Sequence, residues 1–301
     1  MAQLDVFHAL DQGLAAAVQA ASPAVVHVSR DHHSGGSGIV WSDDLVVTSS
    51  FHTPDRTKVG IPGADGNLDL RDAEVIGRDP GTDVALLRVT GGGLTPGKLR
   101  DPKMEPGGPA PTGGEDGLAV GNLALALGRP GRTARASLRA VGVLGPRIDT
   151  PQGGTLDRYI ESDRPIPRGF AGGPLVDVDG AVIGMNTRTL LRGCDIAVPV
   201  ATLRRVVDEL KAHGAIRKGY LGVGAYPTGQ GALVASIEDG GPAATAGILV
   251  GDILVEVDGE KVSGPDSLRG VLADRPGKHV KVALIRGGQR QELDVTLGAT
   301  P

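Results

Sequence analysis

Between residues 24 and 90 short apolar runs recur at roughly the 8–12 residue interval of strands joined by tight turns. They are Ala24–Val28, Ser37–Trp41, Leu45–Thr48, Thr57–Ile61, Ala73–Ile76 and Val84–Val89. Gly and Pro punctuate them, at 48 and 21 of 301 residues, without forming low-complexity tracts. Such a pattern favours closed or packed sheets over a helical bundle, and 40% hydrophobic content is enough to bury a sizeable core. The expected class is mainly β, with these runs forming one six-stranded lobe.

Helical period appears in only a few places. Leu4, Phe7, Leu10, Leu14, Ala17 and Val18 share one face of an amphipathic helix over residues 3–20. Residues 91–115 are poor in apolar side chains and rich in Gly and Pro, and are read as a crossing connection. A second β lobe is expected from Leu118-Ala119-Val120 to about Val200. It is closed by a helix whose buried face carries Leu203, Val206, Val207 and Leu210 and which stops at Gly214. Beyond Arg217 strands at 232–237, 253–257, 280–285 and 291–297 and a helix near 265–272 outline a small α+β module.

Several function classes are disfavoured. Three Phe, three Tyr and one Trp cannot build stacking platforms for single-stranded nucleic acid, and a net charge of −4 gives no phosphate attraction. No run reaches the ~18 apolar residues of a spanning helix. The first ten residues lack a basic n-region and an unbroken apolar stretch, so they do not read as a secretory signal. The expected location is cytoplasmic if the sequence is complete and periplasmic if a leader has been trimmed. Cys194 is the single cysteine; it has no motif for a nucleophile and is read as a small buried side chain. His32 and His33 sit in a Gly- and Ser-flanked loop without further ligands nearby, so neither a metal nor a cofactor is expected.

Chemistry concentrates in three segments, ordered as histidine, aspartate and nucleophile position, the order of a trypsin-type triad. Asp83 stands at the entrance of an apolar strand, where a carboxylate could orient an imidazole, although Asp also serves simply in turns. Residues 168–176 read Arg-Gly-Phe-Ala-Gly-Gly-Pro-Leu-Val, with Gly where the backbone must turn and expose the amides of Gly169 and Ala171 as an oxyanion hole. Ala171 occupies the nucleophile position, and a methyl group has neither a lone pair to attack a carbonyl nor a proton to give.

The joint pattern resembles the HtrA/Deg family, trypsin-fold proteases followed by a PDZ domain. It is carried by Gly36–Val40, Asp79–Leu86, Leu125–Pro130, Tyr159–Asp163, Gly169–Val176 and Val182–Thr187. The resemblance implies an N-terminal helix (1–22), a protease domain of two six-stranded barrels (23–212, lobes about 23–90 and 116–200, closing helix 200–212), a linker (213–218) and a PDZ domain (219–301). It implies Thr187, Arg188 and Thr189 as the strand that pairs with substrate backbone. Residues 163–168 become one wall of the primary pocket, with Pro165 where trypsin has its acid, so an aliphatic or small substrate side chain is expected. Tyr220, Leu221, Gly222 and Val223 become a carboxylate-binding loop, and Leu268, Val271 and Leu272 line the adjoining groove. Polypeptides or C-terminal peptides are the implied partners, and a homotrimer the implied assembly.

Two positions depart from the family, which carries its base in a Thr-X-X-His sequence. Here Thr48-Ser49-Ser50-Phe51-His52 puts Phe51 in that register and His52 one place later. Either a bulge restores the direction of His52 or the base is lost along with the serine. Two readings follow: an HtrA-like serine endopeptidase of protein quality control, inactive through Ala171, or a natural pseudoprotease acting as a peptide-binding scaffold or holdase.

Overall fold

The computed structural model describes residues 2–29, 35–63, 65–100, 117–191, 193–273 and 275–300. His32 and His33, and residues 101–116 of the expected connection, lie outside the described residues. The chain divides into two units, Met1–Ala215 and Ile216–Pro301.

The first unit opens with helix α1 (Ala2–Ala21), which buries Ala17 and Ala21 and leaves Val6, Phe7 and Leu10 exposed. Strands β1 (Val25–Ser29), β2 (Gly35–Val40), β3 (Leu45–Ser49), β4 (Arg56–Pro62), β5 (Leu68–Asp79) and β6 (Val84–Val89) follow. They close into a barrel in the order β1-β2-β3-β6-β5-β4. Val26, Val46, Val59 and Leu87 meet in its core. β3 pairs on both sides, with β2 and with β6, and is buried end to end. Its last two residues, Thr48 and Ser49, therefore carry hydroxyls into the interior, where each must find a partner.

A second closed barrel is built from β7 (Leu123–Gly128), β8 (Arg135–Gly145), β11 (Tyr159–Ser162), β12 (Pro174–Val176), β13 (Val182–Leu191) and β14 (Cys194–Pro199). Its order is β11-β14-β13-β12-β7-β8, with a small hairpin of β9 (Ile148–Asp149) and β10 (Thr155–Leu156) beside it. Its first strand begins at Leu123 and not at Leu118-Ala119-Val120. There the Asn122 carboxamide oxygen accepts the Ala119 amide at 2.9 Å and the Asn122 amide donates to the Ala119 carbonyl at 3.1 Å, closing a turn. Cys194 is half-buried and not fully buried, because it starts β14 opposite Leu191 next to the exposed Gly193.

Helix α2 (Val200–His213) closes this unit, with Leu203, Val206, Val207 and Leu210 fully buried. Gly214 ends it in the left-handed region at φ 72°, donating its amide to the Leu210 carbonyl, a conformation that costs glycine little.

The second unit comprises β15 (Lys218–Tyr220), β16 (Val223–Pro227), β17 (Ala232–Ile237), α3 (Pro242–Thr245), β18 (Ile253–Val257), β19 (Glu260–Lys261), α4 (Pro265–Ala273), β20 (His279–Arg286), β21 (Gln289–Thr296) and β22 (Gly298–Thr300). The main sheet runs β16-β17-β18-β20-β21, leaving β16 at an edge, while β15 pairs with β22. Asp252 is buried beside β18 and takes a two-pronged contact from Arg286, Nε at 2.8 Å and Nη2 at 2.7 Å. Burial works against its charge, yet the Arg286 guanidinium and the Leu249 amide outweigh it and hold the carboxyl below its ordinary value.

Leu203→Ala is expected to cost about 2–5 kcal/mol, read as a lowered urea midpoint of the first unit. A lowered folded-state pKa means that the Asp252 contribution is present above the unfolded value near pH ~4 and is lost as pH falls through the lowered value. Asp252→Asn should therefore flatten the acid limb of stability, measured by hydrogen exchange over residues 216–300.

Candidate functional site

The buried Ser49 hydroxyl at the end of β3 meets Asp83, the residue just before β6. Asp83 is 2% exposed, and its φ of 58° is unusual for a residue with a Cβ, though Asp tolerates this region better than most. The Ser49 hydroxyl donates to both carboxylate oxygens at 2.9 Å, and the Phe51 amide donates to Oδ1 at 2.9 Å. From the second barrel, the hydroxyls of Thr187 and Thr189 donate to Oδ2 at 2.5 and 2.9 Å. Four donors thus use the roughly four acceptor positions of a carboxylate. Ser50 reinforces the arrangement by donating its amide to the Asp83 carbonyl at 2.9 Å.

Residues Ser50–His52 form a 3-10 turn after β3. Phe51 is 74% exposed, and its amide is the one that reaches Asp83. His52 closes the turn; its imidazole lies outside the described residues.

The turn carrying Ala171 is pinned from the first barrel by Ser37. The Ser37 hydroxyl donates to the Gly169 carbonyl at 2.6 Å and accepts the Arg129 amide at 2.7 Å, while its own amide donates to the Ala171 carbonyl at 3.2 Å. The next residue has to be glycine: Gly172 has φ 84°, and a Cβ there would sit 2.3 Å from the Ser37 carbonyl and 2.6 Å from the Thr48 hydroxyl. Gly169 also has φ 83°. Among the described residues the amides of Gly169 and Ala171 donate to no partner, as an anion-receiving turn requires. Ala171 itself is 6% exposed and offers a methyl group, which has neither a lone pair to attack a carbonyl nor a proton to give.

β13 supplies the expected substrate-pairing residues: Thr187 is buried, Arg188 exposed and Thr189 half-buried. Pro165 is exposed, and the neighbouring Ile166 is buried with its amide donating to Asp195 Oδ2 at 2.6 Å. A carboxylate therefore does reach the 163–168 segment, but from β14 and not from position 165. Arg139 lies buried beneath the same segment, donating Nη1 to the Arg164 carbonyl at 2.9 Å. Burial lowers its pKa, against the opposing pull of Asp163 and Asp195. Ser49 and Asp195 were not among the residues expected from sequence, and Thr189 was expected to pair with substrate backbone, not to bond Asp83. Only the polarity of Ser49 at the end of an apolar run hinted at a partner.

In the second unit, Tyr220 ends β15 and Val223 begins the edge strand β16. Between them Gly222 has φ 77°, and the carbonyls of Leu221 and Gly222 accept the amides of Ala243 at 2.8 Å and Glu238 at 2.9 Å. Among the described residues the Leu221 and Gly222 amides donate to no partner. Leu268 and Leu272 of α4 belong to the core of this unit, with Val271 packed against it. Among the described residues no group of His, Cys, Asp and Glu could hold a metal ion, and no helix is long and apolar enough to cross a membrane.

Removing the Asp83 carboxylate strands hydroxyls from Ser49, Thr187 and Thr189 in a buried place. Asp83→Ala should destabilise the first unit by at least about 1–3 kcal/mol, whether or not the site is catalytic. Chemical denaturation followed by Trp41 fluorescence tests this.

Residues 36–185 match the model of the trypsin-like peptidase domain, and residues 219–297 that of the PDZ domain. A protein of Pseudomonas putida (strain W619) named "Probable periplasmic serine endoprotease DegP-like" is 32% identical over 291 residues. The match covers 90% of this chain and 57% of that protein, so the chain spans little more than half the length of the curated relative. Among solved structures, the serine endoprotease from Yersinia pestis aligns with a TM-score of 0.68 at 26% identity, covering 96% of this chain and 98% of that one. The HtrA-type protease AlgW with tripeptide aligns with a TM-score of 0.68 at 27% identity, covering 96% and 97%.

Proposed function

Since the chain belongs to the HtrA/Deg family, with a trypsin fold followed by a PDZ domain, we propose that it is a natural pseudoprotease that binds extended polypeptide without cleaving it. The observation that carries this reading is the partner set of Asp83. Its carboxylate is engaged by three hydroxyls and by the amide of Phe51, the residue in the family's base register. With Ala171 at the nucleophile position, two of three catalytic groups are replaced by side chains that exchange no protons. Loss of a nucleophile alone typically costs on the order of 10⁶ in rate.

The binding functions are the parts that remain usable. The amides of Gly169 and Ala171 would receive a peptide carbonyl, and Thr187, Arg188 and Thr189 would pair with its backbone. Tyr220, Leu221, Gly222 and Val223 would hold a C-terminal carboxylate through backbone amides beside the edge strand β16. A homotrimer belongs to the same proposal, as does a periplasmic location, the compartment printed in the names of the DegP-like relatives.

A second reading keeps one observation in its favour. The turn at Gly169 and Ala171 retains two amides without partners among the described residues, as a protease carrying Ala in place of its serine would. Ala171→Ser separates the two. Under the pseudoprotease reading this variant stays unlabelled by a fluorophosphonate and leaves casein intact, whereas Phe51→His combined with Ala171→Ser gains labelling. Labelling and casein cleavage by Ala171→Ser alone would overturn the reading and assign the base to His52.

A further inference from the structure

The strand that a bound peptide would pair with is already engaged by the chain itself. β13 keeps register with β14 from Gly184 opposite Pro199 to Thr187 opposite Ile196, and the pairing resumes only at Leu191 opposite Cys194. Thr189 lies in the break. In a regular strand, side chains two residues apart stand about 6.5–7 Å from one another along the chain; here the hydroxyls of Thr187 and Thr189 are 3.2 Å apart and both reach Asp83 Oδ2. The Thr189 amide also turns inward, toward the Thr187 hydroxyl at 3.4 Å. A strand added to an edge needs that edge's amides and carbonyls directed outward, and a side-chain hydroxyl that captures a nearby amide competes with such pairing.

We propose that Thr189 is a positioning residue that latches the peptide-pairing edge of the cleft onto Asp83. An incoming peptide backbone has to release the Thr189 hydroxyl from the carboxylate and its amide from Thr187 before β13 presents a regular edge. The proposal rests on the peptide-binding reading and deepens it by naming what opposes binding. Asp83 is suited to hold the latch, because Ser49, Phe51 and Thr187 keep the carboxylate fixed when Thr189 leaves. The balance is modest, since one hydrogen bond to a carboxylate is lost and backbone pairing is gained.

The test uses the full chain and a fluorescein-labelled, C-terminally amidated decapeptide with alternating Val and Lys. Amidation removes the carboxylate that the loop at Tyr220–Val223 would hold. Thr189→Val keeps the shape of the side chain and deletes the hydroxyl; Thr189→Ser keeps the hydroxyl; Thr189→Ala is a second hydroxyl-free variant should Val fail to fold. By fluorescence anisotropy, the Val or Ala variant should bind roughly tenfold more tightly than the unmodified chain, with Ser restoring the original affinity. Hydrogen exchange at residues 187–191 should quicken in the hydroxyl-free variants. A purely structural Thr189 would lower stability without tightening binding. Equal or weaker binding by the hydroxyl-free variants, with the unmodified chain binding the probe, overturns the latch and leaves the peptide-binding cleft standing. Absence of binding by every variant overturns the cleft reading and the latch together.

Discussion

Asp83 donates no charge to any described ion pair, yet it sits almost without solvent at the junction of two barrels, and its carboxylate has to be satisfied where it stands. Ser49 at the end of β3 and Thr187 and Thr189 in β13 satisfy it from opposite sides. The strained backbone of Asp83 is held by the same contacts, since Ser50 fixes its carbonyl and Phe51 its side chain. In a working triad one of these acceptor positions would be reserved for an imidazole. Here hydroxyls of both barrels reach the carboxylate, so Asp83 joins the two lobes whatever its part in chemistry.

Ser37 performs the complementary task at the other end of the cleft. It holds the carbonyls of Gly169 and Ala171 and so fixes the backbone of the turn between them. Gly172 admits this close approach because no Cβ intervenes. The turn is thereby shaped independently of the side chain at position 171.

Much of this was legible in the sequence, for physical reasons that differ by region. The strands of the first barrel announced themselves where both faces are buried, as in β3 and β6. β5 was read only at 73–76 although it runs from Leu68 to Asp79, because its first half mixes Leu with Asp and Arg and leaves Leu70 exposed, a pattern that also suits a loop. The short strands β15, β16 and β22 carry too few apolar residues to be seen singly. At the site, Asp83 and the Gly169 turn were visible as local motifs. Ser49 and Asp195, and the bond of Thr189 to Asp83, were not, because these contacts lie 34, 29 and 106 residues apart along the chain, and no local pattern encodes such meetings.

The reach of the Asp83 contacts bears on how the first unit folds. The bond to Ser49 closes a loop within one barrel, whereas those to Thr187 and Thr189 span 104 and 106 residues and join the two. The longer loops carry a greater closure entropy, and their bonds require parts of both barrels to be in place. While either barrel is open, the Asp83 carboxylate lacks part of its shell, so these contacts tie the completion of one lobe to that of the other.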